Sequence, residues 1–285
     1  LKFHQPDSEL FIPDGITLPA ALGRTTHLAV AAHQDDLEIM AASPILECFQ
    51  SREKWFVGAV VTDGRGSPRA GLYEKYTDEE MWTVRRKEQK KAAVVGEYAA
   101  LALFDHPSSH IKDGSDQKAV EDIAALLRVC KPQILYTHNL ADKHDTHVGV
   151  ALKTIAAARA LPAAGRPQKV FGCEVWRDLD WMADNDKVGF DVSAQENLQA
   201  ALLGVYDSQI TGGKRYDLAS MGRRRAHATY FASHGVDTAT GIIFAMDLTP
   251  LVADPQRDIA EYIHGYIHRF AQDVAERFTR LGLNS

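Results

Sequence analysis

Between residues 31 and 40 the chain reads AAHQDDLEIM. One histidine and three acids, His33, Asp35, Asp36 and Glu38, stand in six positions just after the apolar run HLAVA. Two adjacent carboxylates repel one another, and each is costly to bury without a partner. A divalent cation resolves that conflict, because neutral imidazole and carboxylate are both good zinc ligands. The segment alone fits equally a solvated loop whose Asp35 or Asp36 caps the next helix. A second cluster, THNLADKHDTHVGV, shifts the balance toward a metal. Its His144 and His147 are three positions apart where a helix begins, so both can point to one side. Asp142 and Asp145 crowd the same stretch. A catalytic zinc commonly takes three protein ligands and leaves one position for water. His33, one aspartate of the pair and one of His144 and His147 would supply that set.

Elements of the right kind must bring the clusters together. HLAVAA, WFVGAVV, ALALF, PQILYT and KVFGCEVW read as buried strands. Between them, LEIMAASPILECFQ (which Pro44 interrupts unless it sits near a start), DEEMWTVRRKEQKKAAVVGEY, SDQKAVEDIAALLRVC and HVGVALKTIAAARAL read as helices. This alternation predicts an α/β fold with a largely parallel sheet. Ligands of such sheets bind outside the strands' C-terminal ends, where both clusters fall. Residues 1–24 read as an irregular lead-in punctuated by Pro6, Pro13, Gly15 and Pro19. After Trp176 the rhythm changes to strand VGFDVS, two helices, strand GIIFAMDL and a terminal helix over 255–281. No hinge-like linker separates this part, so residues 177–285 are read as an extension of one domain spanning 1–285.

Composition narrows the function classes. The 285 residues are 45% apolar and 25% charged, as in an ordinary globular protein. A net charge of −6 and a pI near 6.1 argue against general nucleic-acid binding, which needs a basic footprint. No apolar run approaches the roughly 20 residues of a membrane span, no leader is visible, and a cytoplasmic location is expected. Cys48, Cys130 and Cys173 are scattered among apolar neighbours and read as reduced core filler.

The motifs together resemble the PIG-L/LmbE-like family of zinc-dependent N-acetylglucosaminyl de-N-acetylases. The family's A-H-P-D-D-E stands here as Ala32-His33-Gln34-Asp35-Asp36-Leu37-Glu38, with Gln34 in place of proline. Its V-T-x-G turn is Val61-Thr62-Asp63-Gly64, and its R-x-x-E helix motif is Arg85-Arg86-Lys87-Glu88. Its H-P-D-H motif is His144-Asp145-Thr146-His147, with the aspartate one place early. Its S-Q pair is Ser208-Gln209. The resemblance implies a Rossmann-like, LmbE-like sheet with helices on both faces and a C-terminal α+β extension closing the cleft. It implies zinc held by His33, Asp36 and His147, although two histidines and an aspartate would also accept iron, cobalt or nickel. It further implies Asp35 as general base, His144 assisting at the tetrahedral intermediate, and Arg85 and Asp105 touching the sugar. The implied substrate is a small N-acetylated sugar or glycoside. Family members are often oligomeric, which leaves a homo-oligomer open. Were His144 to carry charge, Asp142 or Asp145 would raise its pKa.

Other features take plainer readings. His264 and His268 lack the glutamate of H-E-x-x-H and are read as surface residues. His227 is read as structural, as is His234, Arg223–Arg225 as a solvated face, and Trp176 and Trp181 as core packing. The stretch DGRGSPRAGLYEKY is a candidate mobile lid. Loops 64–77, 105–114 and 177–187 are expected to wall the pocket. Competing readings are a non-catalytic sugar- or metal-binding protein and an amidase acting on a different acyl group. A nucleotide-binding oxidoreductase lacks its glycine fingerprint here.

Overall fold

The inner strands are apolar at successive positions because both faces of the sheet are covered. Leu28 and Val30 enter one hydrophobic core, whereas Ala29 and Ala31 enter another on the opposite face. The computed structural model describes residues 1–283. Its strands are β1 (Glu9–Phe11), β2 (His27–Ala31), β3 (Phe56–Thr62), β4 (Ala100–His106), β5 (Ile134–His138), β6 (Lys169–Cys173), β7 (Val188–Asp191) and β8 (Ile242–Asp247). They form one sheet in the order β1-β4-β3-β2-β5-β6-β8-β7. The run from β4 to β6 is parallel, β1 and β8 join it antiparallel, and β7 pairs antiparallel with β8. This is the mostly parallel α/β sheet expected.

The helices are α1 (Leu18–Gly23), α2 (Asp36–Met40), α3 (Ala42–Cys48), α4 (Asp78–Val95), α5 (Ser108–Lys112), α6 (Lys118–Cys130), α7 (Asp145–Arg159), α8 (Glu196–Gly204), α9 (Asp207–Ile210), α10 (Tyr216–Tyr230), α11 (Thr249–Ala253) and α12 (Ile259–Arg280). The first core takes side chains from α1, α6, α7, α11 and α12, and the second from α2, α3, α4 and α8. α2 approaches the sheet closely, and Gly58 of β3 makes room for it. A Cβ there would stand 2.7 Å from Leu37 Cδ1.

Three expectations change. The lead-in contains β1, which pairs with β4 on the sheet edge, and α1. The helix expected over residues 37–50 is two helices, broken at Ala41 (φ −110°, ψ 25°). Pro44 has no N–H to give, and the break puts it in the first turn of α3, where none is required. The terminal helix is preceded by the separate short α11. Cys48, Cys130 and Cys173 are buried free thiols, as expected. Among the described residues no helix is long and apolar enough to cross a membrane.

The connections define where a ligand can sit. From β2 the chain moves outward through β3 to β4, then returns to place β5 on the other side of β2. Such a reversal opens a crevice at the C-terminal ends of the two strands flanking it. His33 follows β2 there, and the second cluster follows β5.

Candidate metal centre and active-site cleft

Directly after β2 the backbone turns through Asp35 at φ 98°, a left-handed conformation costly for any residue but glycine. Several contacts hold the turn. Asp36 accepts the His33 N–H at 2.8 Å, Gln89 of α4 accepts the Asp35 N–H at 3.2 Å, and the Arg85 guanidinium donates to the Gln34 carbonyl. Gln34, standing where the resembling family has proline, donates to the Thr62 carbonyl at 3.1 Å. It packs so tightly on Gly64 (φ 72°) that a Cβ there would lie 2.2 Å from its Oε1. The Val61–Gly64 turn is therefore shaped to support the first cluster.

The two clusters meet. His33 Nδ1 lies 3.2 Å from Asp36 Oδ2 and 3.1 Å from His147 Nε2, and His147 Nε2 lies 3.3 Å from Asp36 Oδ2. Ligands of a tetrahedral zinc, at about 2.0–2.1 Å from the ion, stand roughly 3.3 Å apart, so this triangle fits one cation. The opposite ring nitrogen of His147, Nδ1, lies 3.5 Å from Asp142, which fixes the tautomer that leaves Nε2 free to ligate. Donor atoms of His33, His144 and His147 also lie within 4.8 Å of one another, as do those of Asp36, His138 and His147. His138 Nε2 accepts the Ala32 N–H at 2.8 Å. It stacks on His147, with ring centroids 4.0 Å apart.

The electrostatics carry the same message. Burial works against charge on His147, yet Asp36 and Asp142 outweigh it and lift the imidazole to about 9. Burial likewise opposes charge on Asp36, but His147, His33 and His138 hold its carboxyl well below the usual range. A positive charge is thus favoured where the three donor atoms converge. Asp35 differs. Burial pushes its carboxyl well above the usual range against the pull of Arg85, 3.4 Å away, and Asp36 adds to the rise. His144 falls to about 4, because burial and the neighbouring His147 and His33 outweigh the lift from Asp36 and Asp142. Its Nδ1 is buried without a partner among the described residues.

The cleft over this cluster encloses about 490 Å³, a usual size for a small-ligand site. His33, Asp35, Asp36, Arg85 and His144 line it. Its walls come from residues 64–68, Ser108 and Lys112, Val175 and Trp176, and Gln209, Lys214 and Tyr216. The expected wall at 177–187 does not contribute, and 209–216 does so instead. Trp176 packs against the second core, as expected, and also lines the cleft, whereas Trp181 packs against the first core. The 64–77 stretch is tied to its surroundings by Tyr73, whose hydroxyl donates to Asp207 at 2.6 Å, and by Arg65–Glu79 and Arg69–Asp78 pairs. Two distant motifs join beneath it: Glu88 accepts the Ser208 N–H at 2.8 Å and its hydroxyl at 2.6 Å.

Several expected roles move. Asp105 is outside the cleft lining, because Trp82 Nε1 (2.6 Å) and Arg86 (3.1 Å) hold its carboxylate. Glu38 is not part of the donor cluster; Tyr98 and Tyr206, each at 2.6 Å, and Gln89 at 2.9 Å bind it in the second core. Asp145 is exposed, and Asp142 takes the place beside His147. Arg224 is buried rather than solvated, donating to the carbonyls of Glu38 (2.8 Å) and Ile39 (3.2 Å) at the end of α2. His227 is structural, 3.0 Å from Glu174, and His234, His264 and His268 are exposed. His138 and Gln89 drew no attention in the sequence; the only signal for His138 is its place at the end of a buried strand.

Comparison with known proteins places this arrangement. Solved structures that share the fold include the following three. 4-Carboxy-2-hydroxymuconate hydratase GalB from Pseudomonas putida is similar at a TM-score of 0.62 and 16% identity, over 79% of this chain and 96% of its own. The conserved protein TT1542 from Thermus thermophilus is similar at 0.61 and 18%, over 82% and 99%. N,N'-diacetylchitobiose deacetylase from Pyrococcus horikoshii is similar at 0.57 and 14%, over 77% and 83%. No curated protein matches the chain. Residues 28–158, which span β2 through nearly all of α7 and so both clusters, match the sequence model of the family described as PIG-L, GlcNAc-PI de-N-acetylase. Both clusters thus lie within a segment similar in sequence to the PIG-L family.

Proposed function

We propose that this chain is a metal-dependent hydrolase that removes the N-acetyl group from an N-acetylglucosamine-type sugar or glycoside. The observation that carries the reading is the triangle of His33 Nδ1, Asp36 Oδ2 and His147 Nε2, with Asp35 beside it as an acid outside the triangle. A pure binding site has no need of that second acid. His33, Asp36 and His147 would hold the ion, zinc being the family expectation. A bound divalent ion supplies Lewis acidity, bringing the pKa of water toward about 7 and polarising the acetamide carbonyl.

The remaining work belongs to the chain's own groups. Asp35 takes a proton from the attacking water as its oxygen bonds to the carbonyl carbon. As the C–N bond breaks, the same carboxyl returns the proton to the leaving amine, and acetate and the free amine are the products. A carboxyl whose pKa burial has raised is suited to both transfers. Arg85 orients it from 3.4 Å and fixes the Gln34 carbonyl behind it. His144, on the cleft wall, supplies a ring N–H to the developing oxyanion. The low pKa of His144 makes it a neutral donor.

Acetate release from a panel of N-acetylglucosamine derivatives tests this, with metal-loaded wild type beside Asp35→Asn. Wild type should release acetate, and the variant should lose about 10²–10⁴-fold in kcat while keeping its metal. No release from metal-loaded wild type across the panel, or full turnover by the variant, overturns the reading.

A further inference from the structure

The second half of α12 carries an apolar stripe that the rest of the chain does not cover. As far as Phe270 the helix belongs to the body. Tyr266 enters the first core, and Ile259, Tyr262 and Ile263 pack against it. Arg269 pairs with Asp186 at 2.6 Å, and the Phe270 ring lies 6.4 Å from that of Trp181. Beyond that point every side-chain hydrogen bond and ion pair of α12 among the described residues is internal to it. The stripe nevertheless continues. Phe270, Val274, Phe278 and Leu281 repeat at the spacing of a helix–helix seam. Phe270, Phe278 and Leu281 are 39, 49 and 84% exposed. The end is closed rather than frayed. Gly282 turns at φ 85°, its N–H donating to the Thr279 carbonyl at 3.1 Å and that of Leu283 to the Phe278 carbonyl at 2.9 Å. This is the paired closure of a Schellman motif. A few turns of helix without tertiary support are marginal in water.

The charges beside the stripe indicate what covers it. Asp273, Arg277 and Arg280 share one flank, with Glu276 behind them. Within the helix Arg277 pairs with Asp273 at 3.0 Å and Arg280 with Glu276 at 4.0 Å. Along the chain the four run acid, acid, base, base, an order that inverts about the midpoint between Glu276 and Arg277. A second α12 laid antiparallel about that point therefore sets Asp273 against the second copy's Arg280, and Glu276 against its Arg277, each pair occurring twice. The same register places Phe278 opposite the small Ala275 on the other flank. It also brings Leu283 level with Phe270, where the body begins. Charge, bulk and length are satisfied by one alignment.

We propose that two copies of this chain associate through the exposed half of α12, as an antiparallel helix pair about a two-fold axis beside Glu276 and Arg277. Such an axis uses the same patch on both copies, so the patch must complement itself, as this one does. A lipid surface fits less well, because a helix lying on a membrane presents a basic polar face, and the charges here are evenly mixed. The contact from Phe270 to Leu283 is about 20 Å long. It is small for a permanent interface, so the association is weak, with a Kd on the order of 10 µM.

Sedimentation velocity of the full chain, over concentrations that bracket this Kd, reads the association. Wild type should pass from monomer to dimer. Phe278→Glu, at an exposed position, should keep its far-UV circular dichroism and weaken the dimer about thirtyfold or more. Asp273→Arg and Arg280→Asp should each weaken it about tenfold, because each sets two like-charge pairs across the axis. Mixing these two variants should restore association, since the introduced arginine then faces the introduced aspartate. The mixture does not rebuild the pairs within either helix, so rescue reports contact between copies. A monomer at every concentration, a dimer indifferent to Phe278→Glu, or a mixture no tighter than its separate components overturns the proposal. Co-flotation of a monomeric chain with phosphatidylcholine vesicles, lost in Phe278→Glu, also overturns it and assigns the stripe to a lipid surface.

Discussion

The side-chain carbonyl of Gln89 accepts the backbone N–H of Asp35 at 3.2 Å, and its amide donates to Glu38 at 2.9 Å. One residue of α4 thereby links the strained turn at φ 98° to a buried anchor in the second core. Strain of this kind persists only where surrounding contacts over-determine the backbone. Gln89→Met keeps the volume and removes both hydrogen bonds. It should lower kcat for acetate release by about 10²-fold through displacement of Asp35, with metal content unchanged. In the Asp35→Asn background the same change should cost little more, because the group it positions has lost its function. Additive losses in the double variant would refute the positioning role.

Asp142 is the carboxylate behind His147, and Asp145, inside the H-x-x-H stretch, is an exposed residue in the first turn of α7. A carboxylate on the far nitrogen of a ligating histidine typically contributes 10–100-fold in metal affinity. Asp142→Ala should weaken metal binding by about that factor in competition with a chelator, and Asp145→Asn should leave it unchanged. Equal effects from the two variants would remove Asp142 from its assigned place.

Glu38 predicts a pH dependence of stability. Burial raises its carboxyl to about 7 from 4.5 even though Tyr206 and Tyr98 donate to it. The folded state therefore binds a proton that the unfolded chain has already lost between those values. The stabilisation is fully present below pH 4.5 and disappears as pH rises through about 7, on the order of 3 kcal/mol in all. Glu38→Gln should flatten the difference in urea-unfolding free energy between pH 5 and pH 7. Taking the difference between variant and wild type cancels the contribution of metal ligation. An unchanged slope would mean that Glu38 is ionised in the folded protein.

The legible part of the site follows from strand ends. His33 and His144–His147 could be assigned to one place because apolar runs mark β2 and β5, and parallel strands present their C-terminal ends on one edge. What lies beneath that edge was not legible. Glu38 sits two positions from Asp36, and linear spacing does not tell that one turn of α2 carries it into the second core. Asp105 stands at the C-terminal end of β4 much as His33 stands just past that of β2, yet Trp82 and Arg86, about 20 residues earlier, claim its carboxylate. Contacts between α4 and the ends of β2 and β4 are set by how the helix packs, which periodicity leaves undetermined. The basic run at 223–225 shows the same limit: three consecutive arginines project from α10 in different directions and meet different partners.

That run supplies a stability test with an internal control. Arg224 is buried, its guanidinium pushed down to about 10, and it donates to Gln199 at 2.8 Å and to the α2 carbonyls of Glu38 and Ile39. Those carbonyls end a helix and have no onward turn to pair with. Arg224→Met would leave them and Gln199 Oε1 buried without that donor, at a cost of roughly 3 kcal/mol. Arg225 meets Glu196 on the surface, so Arg225→Met should change stability by less than about 1 kcal/mol. Because α2 carries Asp36 at its start, the Arg224 variant should also weaken metal binding, whereas the Arg225 variant should not. Denaturant unfolding and chelator competition on the two proteins give both readouts. Equal stability losses, or metal affinity unmoved in the Arg224 variant, would show that the C-terminal helices do not brace the donor cluster.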